Sequence, residues 1–288
     1  MRPVIITDSC SDLPLAYVEK HQLPIVNLMF HLNEKDYLDD LGKSLSFTDF
    51  YNTVRQGAMP TTSQVNVHTF VELFKQYKDH PGGVIYIGFS SALSGTFNSA
   101  VAARDIILEE TPQAKIALIN SCCASLGQGL LVHYALELRE QGADFQAIVD
   151  WVENNKLKLN HWFTVEDLNH LKRGGRLSGT AAFVGTMLNV KPVLNVDDEG
   201  RLIPKAKVRG RAKSIKYLKE QLDERIVNPE EQVVFISHGD SPADAQMLKE
   251  MILADHPVKD VMIGYVGPVI GSHTGAGVLA LFFMGDKR

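Results

Sequence analysis

The strongest constraint on the fold is a regular alternation of short apolar runs with amphipathic segments, which begins at the first residues. The apolar runs are rich in β-branched residues and predict buried strands at Val4–Thr7, Ile25–Phe30, Val84–Phe89 and Lys115–Ile119. The amphipathic segments predict helices near Leu15–His21, Phe47–Gln56, Val67–Tyr77, Thr96–Glu110 and Ala124–Glu140. This order is typical of a largely parallel sheet that is covered by helices.

The second half of the chain predicts a different mixture of strands and helices. The segments are a strand in "HWFTVE", a short helix in "DLNHLKRGG", a hairpin in "KPVLNVDDEGRLIPKAKV" that turns at Asp198–Gly200, and buried strands in "VVFISHG" and "VMIGYVG". We therefore expect an α/β protein of two α/β domains. Residues 1–158 form the N-terminal domain with its largely parallel sheet, and residues 159–288 form a C-terminal domain with a mixed sheet and helices.

The composition is that of an ordinary globular protein and argues against several classes of partner. Hydrophobic residues make up 45% of the chain, and 29 basic against 34 acidic residues give a net charge of -5. Such a charge provides no overall basic field for nucleic acid. The three cysteines, Cys10, Cys122 and Cys123, are an odd number without a signal peptide, which favours reduced thiols in a cytoplasmic protein. No apolar stretch has the roughly 18 residues that an integral membrane segment needs.

The motifs of nucleotide and metal binding do not occur in this sequence. No G-x-G-x-x-G follows a strand, and there is no G-x-x-x-x-G-K-[ST]. The histidines are scattered, without the helical i, i+4 pair beside a glutamate that binds zinc. We therefore expect no cofactor and no metal.

A serine esterase of acyl esters is the alternative function that the residues leave open, with Ser9 or Ser94 as nucleophile. "TDSCSDL" resembles the opening of a GDSL-type esterase, and "GFSSA" nearly fits a nucleophile elbow, but Ala92 stands where the tight turn needs glycine. The serine also needs a histidine as base. Asp167 and His170 in "DLNH" are such a pair, yet they lie in the middle of the chain beside "LKRGGR". We therefore favour a protein that is not an enzyme.

Four segments at the ends of predicted elements combine hydroxyl groups, glycines and a cation. They are "PTTSQ" at 60–64, "SSALSGT" at 90–96, "LKRGGRLSG" at 171–179 and "GSHTGAG" at 271–277. The second follows a buried strand and begins a helix, whose free amides and positive dipole end favour an anion. Hydrogen-bond donors without a nucleophile and base can bind a carboxylate without attacking it.

Eight segments, in order over nearly the whole chain, resemble those of a known family. They are "TDSCSDLP", "PTTSQ", "SSALSGTFNSA", "NSCCASLGQGLLV", "FTVEDLNHLKRGGRLSG", "LNVKPVL", "KVRGRAKSI" and "GPVIGSHTGAG". The chain resembles the DegV family of bacterial fatty-acid-binding proteins. The resemblance implies one long-chain fatty acid, such as palmitate, buried between the two domains. It also implies that the protein presents the carboxylate to a separate fatty acid kinase, for acyl-phosphate and phospholipid synthesis.

The resemblance also implies roles for individual residues. Thr62 and Ser94 match the residues that contact the carboxylate, and Arg176 and His273 match a supporting network. Further candidate ligand residues in the same segments are Thr61, Ser63, Ser91 and Thr274. The chain departs from the family pattern at Val65, where proline is usual, at Asn120, where aspartate is usual, and at Cys122–Cys123.

A strongly basic run stands out on this acidic chain. "KAKVRGRAKSIK" extends from Lys205 to Lys216, and neither a fatty acid nor a hydrolytic reaction needs this charge. The run suggests either a solvated surface or a docking surface for an acidic partner, for which the kinase is the candidate. The residues expected to bind such a partner are Arg173, Arg209 and Arg211.

Overall fold

Three sheets organise the chain in a computed structural model that describes residues 1–166, 168–178 and 189–288. The strands are β1 (Val4–Asp8), β2 (Ile25–Val26), β3 (Met29–Leu32), β4 (Lys35–Leu38), β5 (Thr61–Ser63), β6 (Val84–Gly88), β7 (Ile116–Asn120), β8 (Leu159–Thr164), β9 (Val190–Val196), β10 (Leu202–Arg209), β11 (Val233–His238), β12 (Asp260–Tyr265) and β13 (Leu279–Met284). The helices are α1 (Leu15–Lys20), α2 (Phe47–Arg55), α3 (Val67–Lys75), α4 (Thr96–Glu110), α5 (Leu126–Glu140), α6 (Phe145–Asn155), α7 (Asn169–Arg173), α8 (Arg211–Arg225), α9 (Pro242–Asp255) and α10 (Pro268–Thr274). Asp167, named above as a partner for His170, and Gly179, the last residue of "LKRGGRLSG", lie outside the described residues.

The N-terminal sheet is parallel throughout, as predicted. Its order is β2-β1-β6-β7. Strand β6 is buried along its whole length, which explains why its sequence is a continuous apolar run. The α/β class with a parallel sheet in this half is confirmed.

A small antiparallel sheet is a feature that the sequence pattern did not predict. The expected strand Ile25–Phe30 is two strands, because the chain leaves the parallel sheet after β2 and enters a second sheet of order β4-β3-β5. The amide of Leu28 donates to the Ser9 hydroxyl oxygen (3.0 Å) at this change of direction. The "PTTSQ" segment contributes β5 to this small sheet.

The C-terminal sheet is mixed, as predicted, with the order β10-β9-β8-β13-β11-β12. Only the β11–β12 pair is parallel among its described strands, and β9 and β10 form the expected hairpin. Strand β8 is the first strand of the C-terminal sheet along the chain and begins at Leu159, and the domain boundary between residues 158 and 159 stays a prediction. Helix α5 packs against β1 and β6 of the N-terminal parallel sheet and against β11 and β13 of the C-terminal sheet. It is therefore buried on most sides.

None of the helices in the described part of the chain has the length and apolarity that crossing a bilayer would require.

Candidate functional site

A cavity of about 180 Å³ lies where β5, the loop before α4, the α7 region and α10 meet. On the same scale one water needs only about 10–15 Å³. The cavity is lined by Leu28, Thr62, Ser63, Gln64, Phe89, Leu93, Ser94, Gly95, Ala124, Leu171, Arg176, Leu202, Val269, Ile270, His273 and Thr274. All four segments therefore reach this cavity, and "LKRGGRLSG" contributes Leu171 and Arg176.

Thr62 and His273 form the first polar pair of the cavity. The Thr62 Oγ1 and His273 Nε2 atoms are 2.8 Å apart, although the residues are 211 positions apart in the chain. Gly174 makes this placement of the ring possible, since a Cβ atom there would lie 2.1 Å from His273 Nδ1. The absence of a side chain at Gly174 thus lets the imidazole lie against the backbone after α7.

The imidazole of His273 is neutral near pH 7. Burial, and then the charges of Arg176 and Arg173, lower its pKa to about 4. Its Nδ1 atom is buried, with no hydrogen-bond partner among the described residues. The ring has only one proton to donate, so the position of that proton decides whether Thr62 donates to His273 or accepts from it.

Ser94 belongs to a second hydrogen-bond group at the start of α4. Its Oγ accepts from the Thr96 amide (3.2 Å) and lies 2.9 Å from Thr96 Oγ1. Thr96 Oγ1 in turn accepts from the Val65 amide (3.2 Å). Thr96 therefore connects the end of the β5 segment to Ser94.

Arg176 supplies the cation at this cavity and braces two loops. Its Nε donates to the Leu93 carbonyl (3.1 Å), and its Nη1 donates to the Gly174 carbonyl (2.5 Å). These bonds connect the loop before α4 to the glycine that contacts His273. A guanidinium held in this way places a positive charge beside neutral hydroxyl donors.

The structure separates the four further candidate ligand residues into two groups. Ser63 and Thr274 line the cavity, and the Thr274 hydroxyl donates to the Ile270 carbonyl (3.1 Å). Thr61 is exposed on β5 and is not among the lining residues. Ser91 is also outside the lining, where its Oγ accepts from Asn120 Nδ2 (2.7 Å).

The three departures from the family pattern have structural consequences. Val65 donates its amide to Thr96, which a proline could not do. The amide group of Asn120 donates to Ser91, which a carboxylate could not do. Cys122 and Cys123 do not line the cavity, and the Cys123 sulfur accepts from Arg288 Nη2 (3.1 Å).

Sequence reasoning missed most of the apolar wall. Leu28, Phe89, Leu171, Leu202 and Val269 come from five separate segments and look like ordinary core residues in the sequence. It also missed Gln64, although the residue lies inside "PTTSQ". The glycine pair in "KRGGR" was the one local signal of the close approach at Gly174.

The residues expected to bind a partner differ in their availability. Arg209 is exposed at the end of β10, an edge strand. Arg173 is exposed, and its Nη2 lies 3.3 Å from His170 Nδ1. Arg211 instead forms ion pairs with Asp244 (2.8 Å) and Glu166 (3.5 Å), so its charge serves an internal contact.

Among the described residues, neither of the two candidate nucleophiles is hydrogen-bonded to a histidine. Ser9 is buried, 1% exposed, and its hydroxyl oxygen accepts from the Leu28 amide. The histidine in the Ser94 cavity is hydrogen-bonded to Thr62. Asp8 caps the short helical turn after β1 by accepting from the Cys10 amide (3.1 Å), as expected for a carboxylate at a strand-to-helix turn.

Comparison with known proteins identifies the family. The family model described as "Uncharacterised protein, DegV family" matches residues 3–286. The DegV domain-containing protein CPE0026 of Clostridium perfringens is 49% identical over 285 residues, which cover 99% of this chain and 98% of that protein.

Two solved structures share the fold over almost the full length. A DegV family protein from Thermus thermophilus, described by its fatty acid binding, has a TM-score of 0.89 at 30% identity and covers 99% of this chain and 100% of its own. DegV of Bacillus subtilis, described as a fatty acid binding protein, has a TM-score of 0.85 at 32% identity with the same coverage. The chain belongs to the DegV family.

Proposed function

We propose that this protein binds one long-chain fatty acid in the cavity beside α10, with the carboxylate held by the hydroxyl groups of Thr62 and Ser94. The observation that carries the proposal is that Thr62 and Ser94 line the same cavity. Ser94 Oγ accepts from the Thr96 amide, and when the Thr96 hydroxyl also donates to it, the proton of Ser94 can point to a ligand. With the proton of His273 on Nε2, Thr62 likewise accepts from the ring and keeps its proton for a carboxylate.

The charges near this cavity favour an anion over a cation. Arg176 adds a positive charge beside the cavity, and the His273 ring is neutral and adds no charge of its own. The start of α4, a helix of 15 residues, adds the positive end of its dipole beside Ser94. Together these groups can hold a carboxylate without a nucleophile.

The apolar wall supplies most of the affinity in this proposal. Leucine, phenylalanine, valine and isoleucine side chains from both halves of the chain line the cavity. A 16-carbon tail gains roughly 10 kcal/mol on burial at about 0.8 kcal/mol per CH₂, before the cost of association. Few polar contacts are then needed, and the head group mainly sets the orientation of the ligand. The fatty acid binding of the Thermus thermophilus and Bacillus subtilis proteins supports this assignment.

We further propose that the protein is a carrier that presents the carboxylate to a fatty acid kinase. Ser63 and Gln64 line the cavity and are exposed, so the polar end of the cavity reaches the surface. The basic run Lys205–Lys216 would attract an acidic partner, since complementary charge accelerates encounter and is screened by salt. Arg209 is the residue to test, because Arg211 is engaged in ion pairs within the protein.

Mass spectrometry of organic extracts from natively purified protein tests the fatty acid directly. We expect about one equivalent of fatty acid, and reloading of delipidated protein to the same level. A protein that accepts no fatty acid after delipidation would contradict the proposal.

Acyl-phosphate formation by a fatty acid kinase tests the carrier function. Arg209→Glu should slow turnover several-fold at low salt without changing the bound fatty acid. Lys20→Glu, at an exposed position on α1, is the matched control and should leave turnover unchanged. Equal turnover of the Arg209 variant and the wild type would show that the basic run is only a solvated surface.

A further inference from the structure

A second cavity, of about 200 Å³, lies at the opposite end of α10 from His273. Its walls are largely apolar, and two carboxyl groups lie at its inner end. The lining residues are Asp12, Leu13, Pro14, Leu15, Asp39, Leu41, Phe47, Ile263, Gly264, Tyr265 and Gly267. Most of its wall residues are partly exposed, so the cavity extends from the buried carboxyl groups to the surface.

The two carboxyl groups are buried and each has an oxygen without a partner. Asp12 is 6% exposed and Asp39 is 2% exposed. The Ser125 hydroxyl donates to Asp12 Oδ2 (2.5 Å), whereas Asp12 Oδ1 and Asp39 Oδ2 have no hydrogen-bond partner among the described residues. A buried acceptor without a donor costs free energy, and the cost is larger for a charged group.

These two oxygens face the same place. A Cβ atom at Gly267 would lie 2.7 Å from Asp12 Oδ1 and 3.2 Å from Asp39 Oδ2. Neither carboxyl group forms an ion pair with a cationic side chain in the described parts of the chain. Burial and the neighbouring acidic groups raise the pKa of both, that of Asp39 to about 7. The hydrogen-bond donors near them, Ser125 and the Gly267 amide at Asp12 and the Val269 amide and Ser9 at Asp39, offset this rise only in part. The pair therefore lacks a counter-cation.

The residues that line this second cavity determine which kind of cation it can bind. A divalent metal ion takes six or more oxygen ligands, and apolar side chains do not supply them. The described residues also contain no cluster of three or more histidine, cysteine or acidic side chains that could hold a metal. The Phe47 and Tyr265 rings are stacked in the wall, with centroids 5.0 Å apart, and aromatic faces attract organic cations.

We propose that this second cavity binds an alkylammonium group, whose N–H groups donate to Asp12 Oδ1 and Asp39 Oδ2 while its apolar body lies along the aromatic and aliphatic walls. The group would be part of a small free amine or of a lysine side chain on a partner protein. The site is separate from the fatty acid proposal and does not depend on it.

Calorimetric titration of the full chain with butylamine hydrochloride at pH 8 tests the site, because an alkylamine with a pKa near that of lysine is still protonated there. We expect saturable binding, at least tenfold weaker in Asp39→Asn and unchanged in the control Asp36→Asn, whose side chain is exposed. Butanol and potassium chloride at equal concentration should not bind. No saturable binding to the wild type, or equal binding to Asp39→Asn, would overturn the proposal.

Two further measurements complete the test. Saturation-transfer NMR on the wild type should show contact between the butyl protons and the Phe47 and Tyr265 rings, and its absence would overturn the proposal even if the Asp39 variant did not fold. The peptide acetyl-Gly-Lys-Gly-amide distinguishes the source of the ammonium group. Binding within threefold of butylamine supports a partner's lysine, and binding more than tenfold weaker supports a free amine.

Discussion

The two cavities at the ends of α10 present opposite chemistry to a ligand. The cavity at His273 has hydroxyl donors, a neutral imidazole and the Arg176 guanidinium. The cavity at Gly267 has two buried carboxyl groups and lacks a cationic partner among the described residues. Both have largely apolar walls, so the polar groups at one end of each cavity decide which ligand it accepts.

The difference shows that shape and apolarity alone do not assign a ligand. In both cavities the informative atoms are those whose hydrogen-bonding capacity the protein leaves unused. A hydroxyl proton is available at Thr62 when the His273 proton is on Nε2, and at Ser94 when the Thr96 hydroxyl donates to Ser94 Oγ. Acceptor oxygens are available at Asp12 and Asp39. The stability that Asp39 contributes in one cavity should fall as pH rises, whereas the stability that His273 contributes in the other should fall as pH decreases.

The largest expected effect concerns Asp39. Burial raises its pKa to about 7, against the effect of the Val269 amide and with further contributions from Asp40 and Asp8. The folded state holds the proton more tightly than the unfolded state, so this group's contribution to stability falls as pH rises from about 4 to about 7. The loss is at most about 4 kcal/mol at 1.36 kcal/mol per pKa unit.

Urea unfolding of wild type and Asp39→Asn at several pH values measures this effect. The stability of the wild type relative to the variant should fall over that pH range, while the control Asp79→Asn, at an exposed position, should show no such trend. A difference between wild type and Asp39→Asn that is independent of pH would contradict the assignment.

The second effect has the opposite sign and concerns His273. Burial and the neighbouring Arg176, Arg173 and His170 lower its pKa to about 4, so protonation favours the unfolded state. Its contribution to stability is lost as pH falls from about 6.5 to about 4, by at most about 3 kcal/mol. The free energy of unfolding of His273→Gln, measured over the same pH range, should not show this loss. An identical pH profile for variant and wild type would show that the ring is not desolvated.

The third effect is smaller and concerns Gly174, which lies against the His273 ring. Gly174→Ala would place a methyl group 2.1 Å from the present position of His273 Nδ1, so the ring must move away from Thr62. We expect fatty acid binding to weaken about tenfold, roughly 1.4 kcal/mol. The same change in a His273→Ala background is the control and should add nothing. A further loss in that background would mean that Gly174 acts through another contact.

Much of the fold followed from local sequence patterns. The β6 run is apolar throughout because both faces of a parallel strand are covered, and the hairpin of β9 and β10 turns where glycine and aspartate predict it. The small antiparallel sheet was missed because β5 is three polar residues. This strand forms because it pairs with β3. A pairing between distant segments leaves no local sequence pattern.

The candidate site was predictable only in part, for a similar physical reason. The hydroxyl-rich segments and their resemblance to the family directed attention to Thr62 and Ser94. The sequence could not separate them from Thr61 and Ser91, because only the packing of the folded chain leaves Thr61 exposed outside the cavity and brings Asn120 to the Ser91 hydroxyl. Asp12 and Asp39 are likewise separated along the chain, and only the folded structure places both carboxyl groups beside Gly267.

The central claim is that the free hydroxyl protons of Thr62 and Ser94 hold a fatty acid carboxylate. Calorimetric titration of delipidated protein with palmitate tests it most directly, in Thr62→Ala and Ser94→Ala against the matched controls Thr61→Ala and Ser91→Ala. We expect each of the first two changes to weaken binding by about 1–3 kcal/mol, about 5- to 150-fold, because a carboxylate loses a donor. The controls should bind like the wild type. Unchanged affinity in both Thr62→Ala and Ser94→Ala would contradict the account.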